Sequence, residues 1–124
     1  VGISVSLHSP YSFDCFYQQA GPREFLNLIK HATLILTSSF HGTAFALNFG
    51  IPLVSIIPGG NSDDRQTTLI KNVGCEQCVA EIGTHISNIN PYYDVAKEQD
   101  KLDKMRQDNI TWIKENVYDK TFDL

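Results

Sequence analysis

The sequence predicts an α/β fold built on a mainly parallel sheet. Short apolar runs bounded by turn residues occur at 33–37, 52–57 and 78–82, and each has the length of a buried strand. Segments with helical character lie between these runs, and each ends at a glycine, as is typical of a helix end. Because strands that alternate with helices form parallel sheets with helical crossovers, we expect this arrangement in a single domain over 1–124.

Further elements flank this alternating region. Residues 1–9 alternate in polarity and are predicted to form a strand. The first helix is predicted to open at Pro22, because proline is tolerated at the first helical position. A second helix is expected over 42–49, and a third over 63–73 with an aspartate as its cap. A long helix is predicted over 94–118, with one face packed and the rest in solvent.

Composition and charge exclude several classes of function. The chain has 124 residues, of which 42% are hydrophobic and 19% charged, and its formal net charge is −4. Only four of the ten basic residues precede residue 94, so no basic stripe is available to neutralise a nucleic-acid backbone. The apolar stretch at 32–57 is interrupted by polar residues, glycine and proline, which argues against a membrane span. We expect no nucleic-acid partner and at most peripheral membrane association.

The cysteines indicate a reducing compartment. Cys15, Cys75 and Cys78 are odd in number and no secretory segment is recognisable, which favours a cytoplasmic location over a disulfide framework. Cys75 and Cys78 have the C-x-x-C spacing, but no second Cys or His pair completes a zinc site. The motif also follows a helix instead of opening one, unlike a redox pair. We interpret these cysteines as structural, and we expect no metal and no cofactor.

The sequence is expected to be part of a longer protein. It begins with Val1, and its only methionine is Met105.

The loop at 37–42 is the first candidate site, because ligands of open parallel sheets bind beyond the carboxyl ends of the strands. Ser38 and Ser39 supply hydroxyl groups next to the start of a helix, where free N–H groups and the helix dipole favour an anion. Gly42 allows backbone or ligand to approach closely. His41 supplies a charge or a proton near neutral pH.

The loop at 58–62 is the second candidate site. It is rich in glycine, and the helix that follows carries Arg65 in its first turn. An arginine there forms bidentate contacts with phosphate or carboxylate. If the two strands are neighbours, both loops reach one small ligand.

Structural interpretations of the same residues stay open at this point. Ser39 could simply cap the helix, with His41 a buried imidazole that has its hydrogen bonds satisfied. Arg65 could form a salt bridge with Asp63 or Asp64.

Two segments resemble the polysaccharide pyruvyl transferase family. They read GPREFLNLIKHATLILTSSFHGTAFALNFGIPLVSI and NSDDRQTTLIKNVGCEQCV, within 21–80, and the most specific part is S-F-H-G-T-A-F with G-x-P-x-V after it. The resemblance implies a Rossmann-like three-layer α/β/α domain, the C-terminal half of a two-domain enzyme of the GT-B type. It also implies transfer of the enolpyruvyl group of phosphoenolpyruvate to a sugar hydroxyl of an exopolysaccharide or cell-wall glycan.

The resemblance assigns roles to individual residues. His41 matches the motif histidine, which implies an acid or base at the donor, and Arg65 matches a basic position after the next strand. Some members carry an arginine two positions before the histidine, where this chain has Ser39. The implied partners are phosphoenolpyruvate, a glycan acceptor and an N-terminal domain of the same protein. The candidate donor- or anion-binding residues are Ser38, Ser39, Gly42, Thr43, Gly60, Asn61 and Arg65.

Two other functions compete with pyruvyl transfer. A GT-B glycosyltransferase with a nucleotide-sugar donor would have the same fold, and Asp63 or Asp64 could then bind the ribose. A non-catalytic homologue would explain why Ser39 stands in place of the arginine.

Overall fold

The computed structural model describes residues 2–3, 15–17, 20–59 and 65–118. The helices are α1 (Pro22–Lys30), α2 (Phe40–Phe49), α3 (Arg65–Val73) and α4 (Val95–Ile113). The strands are β1 (Gly2–Ile3), β2 (Phe16–Tyr17), β3 (Ile35–Thr37), β4 (Leu53–Ile57) and β5 (Val79–Glu81). Short helical segments of other types span Glu76–Cys78, Ile86–Asn88 and Lys114–Tyr118.

The predicted Rossmann-like α/β arrangement with a parallel sheet is confirmed. Strands β3, β4 and β5 form a parallel sheet in sequential order, with Leu36 opposite Val54 and Ile56 opposite Ala80. Helix α2 joins the first two of these strands, and α3 lies between the second and the third. Of the strand predicted at 1–9, the described part is β1, which pairs with β2 and not with this sheet. The boundaries of the single domain over 1–124 and a second GT-B domain stay predictions.

Helix α2 begins two residues earlier than the sequence predicts. Ser39 is its N-cap, and the Ser39 hydroxyl accepts a hydrogen bond from the Gly42 amide at 3.4 Å. Phe40 and His41 therefore lie in the first helical turn and not in the preceding loop. The predicted end is confirmed, because Gly50 adopts the left-handed conformation, with φ of 66°, that glycine tolerates best.

The long C-terminal helix is confirmed in position, and its last turn differs in type. The side chain of Asp94 caps α4 by accepting a hydrogen bond from the Lys97 amide at 3.2 Å. The helix is regular to Ile113 and continues as a π-helical segment over Lys114–Tyr118. Within the described ranges, no helix has both the length and the apolar character needed to cross a bilayer.

The core lies between β4 and three helices, α2, α3 and α4. Its fully or almost fully buried members are Ala46, Leu47, Leu53, Ile70, Val73, Cys75, Cys78 and Leu102. Both of these cysteines are free thiols. The pKa of Cys75 is raised to about 12 and that of Cys78 to about 11, mainly because both thiols are buried. A thiol with so high a pKa is a poor nucleophile, which favours the structural interpretation of this pair.

Glu98 is a buried carboxyl group on α4, only 1% exposed. Its Oε2 accepts a hydrogen bond from Gln99 Nε2 at 2.9 Å, whereas its Oε1 has no partner among the described residues. Burial raises the pKa of the Glu98 carboxyl, and the Gln99 hydrogen bond and the charge of Arg106 oppose that rise. The folded state therefore binds this proton more tightly than the unfolded state.

We expect Glu98→Gln to stabilise the fold at pH values above 4.5, the ordinary pKa of a glutamate. Because the folded pKa is raised, the wild-type chain loses stability as the pH rises from that value through the folded pKa. Urea unfolding should give a gain on the order of 1 kcal/mol at about pH 7.5, with little gain at about pH 4. Glu76→Gln removes the same charge at an exposed position and is the control. An equal effect of Glu98→Gln at both pH values would contradict the role given to Glu98.

Candidate functional site

The two candidate loops leave neighbouring strands of the sheet. The first follows β3 and leads into α2, and the second follows β4 and leads to α3. Because β3 and β4 are paired in parallel, their carboxyl ends lie side by side. This edge is where open α/β sheets bind ligands.

The hydroxyl of Ser39 is engaged in building the start of α2. This hydroxyl accepts a hydrogen bond from the Gly42 amide, and the amide of Ser39 donates a hydrogen bond to Thr37 Oγ1 at 3.0 Å. The alternative that Ser39 serves as a helix cap is therefore confirmed. Ser38, the preceding residue, is exposed at the end of β3. A direct contact of either serine with a ligand stays a prediction.

His41 faces solvent from the first turn of α2. Its side chain is exposed, and the described part of the chain offers no hydrogen-bond partner to its imidazole. The ring meets Phe40 edge-on, with 5.7 Å between the ring centroids. The alternative of a buried, satisfied imidazole is wrong, and His41 is accessible to a ligand.

Arg65 reaches from α3 to the start of α2. Its guanidinium carbon lies 5.2 Å from the centroid of the Phe40 ring, within the range of a cation–π contact. Phe40 therefore contacts both His41 and Arg65, and the two predicted site residues meet at one aromatic ring. The alternative salt bridge of Arg65 would involve Asp63 or Asp64, which lie outside the described residues.

A groove of about 420 Å³ opens at this contact. The residues that line it are Phe40, Arg65, Thr68, Leu69 and Asn72. A larger cavity of about 630 Å³ lies between α1 and β3, and its wall includes Ser39, Gly42 and many apolar side chains. Because a guanidinium group strengthens the binding of an anion, the groove with Arg65 is the better candidate for an anionic ligand.

Gly42 is required by the packing of α2 on β3. It is buried, and a Cβ atom at this position would lie 2.5 Å from Oγ1 and 3.2 Å from Cβ of Thr37. The close approach allowed by this glycine is therefore between helix and strand. Its predicted contact with a ligand is not needed to explain the residue.

We expect Gly42→Ala to lower the free energy of unfolding by about 1–3 kcal/mol, because the new methyl group collides with Thr37. In the double variant Thr37→Ala/Gly42→Ala, part of this loss should return, since Thr37 Oγ1, the atom of closest approach, is gone while Cβ remains. Urea denaturation of the two variants and of Thr37→Ala measures both effects. If Gly42→Ala alone were more stable than the wild type, helix propensity would outweigh the contact, and the packing role of Gly42 would be wrong.

Thr43 is a candidate site residue whose side chain makes contacts inside the fold. Its side chain is completely buried, and its hydroxyl lies 3.0 Å from Ser55 Oγ and 3.2 Å from Gln66 Nε2. The Thr43 hydroxyl therefore links α2, β4 and α3, and a contact of Thr43 with a ligand stays a prediction. Two further candidates, Gly60 and Asn61, lie outside the described residues.

Sequence reasoning missed two residues at this site. Phe40 belongs to the loop predicted at 37–42, and its contact with Arg65 is a tertiary contact that no local pattern reveals. Gln66 lies on a helix of mixed polarity, where a glutamine is expected in solvent. In the structure its side chain is buried, with 5% exposed.

Among the described residues, no group of three or more His, Cys, Asp or Glu side chains is placed to hold a metal ion.

The fold and this cluster are typical of α/β domains that bind ligands at the carboxyl edge of a parallel sheet. Comparison with known families confirms the resemblance seen in the sequence: the family model described as polysaccharide pyruvyl transferase matches residues 6–60, just under half of the chain. The match includes β3, α2, β4 and His41, and it ends before Arg65. At the level of the family, it indicates pyruvyl transferase activity. No curated protein and no solved structure gives a significant match.

Proposed function

We propose that this chain is the donor-side domain of a polysaccharide pyruvyl transferase. Its substrate would be phosphoenolpyruvate, and its acceptor a sugar hydroxyl of an exopolysaccharide or cell-wall glycan. The observation that carries this proposal is the exposed His41, in the family-matched segment, next to the Phe40 ring that the Arg65 guanidinium of the next helix also contacts. A cytoplasmic location and an N-terminal domain that binds the acceptor are parts of the same proposal.

Arg65 takes the place of the arginine that some family members carry two positions before the histidine. Ser39 occupies that position here and caps α2, so it brings no charge. The guanidinium of Arg65 lies over Phe40, the residue between Ser39 and His41. A cation from α3 thus reaches the region where the family arginine would stand. Together with the amide groups at the start of α2, it would hold the phosphate or carboxylate of the donor.

His41 would act as the acid that starts the transfer. The methylene carbon of phosphoenolpyruvate takes a proton, which leaves the central carbon electron-poor. A sugar hydroxyl bonds to that carbon and loses its proton, and the C–O bond to phosphate breaks. A second hydroxyl of the sugar then bonds to the same carbon and gives up its proton to the released phosphate, which closes the ketal. A positioned acid of this kind contributes about 10²–10⁴-fold to the rate.

Release of inorganic phosphate tests this proposal. The complete protein, incubated with phosphoenolpyruvate and a set of glycan acceptors, should release phosphate only when donor and acceptor are both present. The glycan should gain the mass of a pyruvate ketal at the same time. Transfer of a sugar from a nucleotide sugar, with no reaction of phosphoenolpyruvate, would contradict the proposal and favour a glycosyltransferase.

A further inference from the structure

We propose that Gln66 is the positioning residue of this site, because its side-chain amide fixes the first turn of α3 against the first turn of α2. Gln66 does not touch the groove itself. Its role is to hold Arg65 at a constant distance from Phe40 and His41. The consequence for donor binding rests on the proposed function, whereas the effect on Arg65 does not.

The contacts of Gln66 join three elements. Its Nε2 atom donates one hydrogen bond to Thr43 Oγ1 at 3.2 Å and another to Ser55 Oγ at 3.0 Å. The two hydroxyl groups are also 3.0 Å apart, so the three polar groups form a closed triangle. All three side chains are buried, between 0% and 5% exposed. A buried polar network of this kind specifies one arrangement, because any other leaves polar atoms without partners.

The triangle lies directly behind the candidate site. Gln66 follows Arg65 on α3, and Thr43 follows His41 by two residues on α2. Ser55 lies on β4, paired in parallel with Thr37 at the carboxyl end of β3. The network therefore ties both helix starts to the sheet at the level of the two loops. It is a polar link between α2 and α3 in the described part of the chain, whereas Phe40 is half-buried and Arg65 is exposed.

A purely structural role makes a different prediction from a positioning role. If the triangle only added stability, any change on α3 of similar energetic cost would have the same effect on the site. Ile70 supplies this comparison, because it lies on the same helix, is completely buried and belongs to the apolar core. Ile70→Val should destabilise the domain by an amount similar to Gln66→Met, without removing a polar contact to α2.

The Phe40 ring provides a readout that needs no ligand. Because Arg65 lies over this ring, the ring current should move the side-chain proton signals of Arg65 upfield in the NMR spectrum. Phe40→Leu assigns the effect by abolishing it. In Gln66→Met, which keeps the length of the side chain but has no N–H group, the upfield shift should be lost. In Ile70→Val it should remain. Thr43→Val, which removes a second corner of the triangle, should act like Gln66→Met and serves if that variant does not fold.

Donor affinity gives the second readout, measured by calorimetry with phosphoenolpyruvate. Gln66→Met should weaken binding about tenfold, whereas Ile70→Val should bind like the wild type. An unchanged Arg65 signal in Gln66→Met and Thr43→Val would overturn the proposal, as would a signal lost equally in Ile70→Val. If the wild type binds no phosphoenolpyruvate, the proposed function is wrong, and the Arg65 signals still decide whether Gln66 positions Arg65.

Discussion

His41→Ala is expected to lower the rate of pyruvyl transfer by about 10²–10⁴-fold, the contribution of a positioned acid. Because the imidazole is exposed and makes no hydrogen bond within the described residues, the free energy of unfolding should change by less than about 0.5 kcal/mol. Phosphate release at saturating phosphoenolpyruvate and acceptor measures the first effect, and urea unfolding measures the second. Loss of activity without loss of stability separates a catalytic role from a structural one.

His31→Ala is the matched control. His31 is also exposed, but it follows the end of α1, and its Nδ1 lies 2.8 Å from the carbonyl oxygen of Asn27. It precedes β3, whereas His41 follows it, so the two histidines lie at opposite ends of that strand. Transfer should be unaffected in His31→Ala. Full activity of His41→Ala, or an equal loss in both variants, would refute the acid role.

Arg65→Ala is expected to weaken phosphoenolpyruvate binding by roughly tenfold to a hundredfold, the range for losing a hydrogen bond to a charged group. The effect should appear mainly in KM and less in kcat, because Arg65 holds the donor and does not transfer the proton. Arg65→Lys keeps the charge but loses the planar fork and the stacking on Phe40, so it should recover only part of the affinity.

Lys71→Ala is the control for charge alone. Lys71 is an exposed cation in the last turn of the same helix, so its removal changes the net charge equally. The Lys71→Ala variant should bind phosphoenolpyruvate as tightly as the wild type does. If Arg65→Ala bound phosphoenolpyruvate normally, the contact with Phe40 would be structural, and another cation would have to hold the donor.

Local signals in the sequence were sufficient for most of the fold. Proline at the start of α1 and glycine after α2 predict their helix boundaries correctly. The sequence predicts the start of α2 at Gly42, two residues later than its start at Phe40 in the structure. Ser39 captures the Gly42 amide instead, so the helix includes Phe40 and His41. The helix start is therefore decided by one side-chain hydrogen bond, from the Gly42 amide to the Ser39 hydroxyl.

The candidate site was predictable in its location and not in its internal contacts. The rule for parallel sheets indicates the two loops, and hence His41 and Arg65, from position alone. The internal contact of Thr43 was not predictable, because its hydroxyl meets Gln66, which is 23 residues away in sequence. The contact between Phe40 and Arg65 likewise depends on how α2 and α3 pack together. No pattern in either helix contains that information.

The decisive measurement is isothermal titration of the complete protein with phosphoenolpyruvate and, separately, with nucleotide sugars. A pyruvyl transferase donor site with Arg65 as its cation predicts saturable binding of phosphoenolpyruvate that weakens in Arg65→Ala. It predicts no comparable binding of nucleotide sugars. Binding of a nucleotide sugar alone, with no heat from phosphoenolpyruvate, would contradict the assignment.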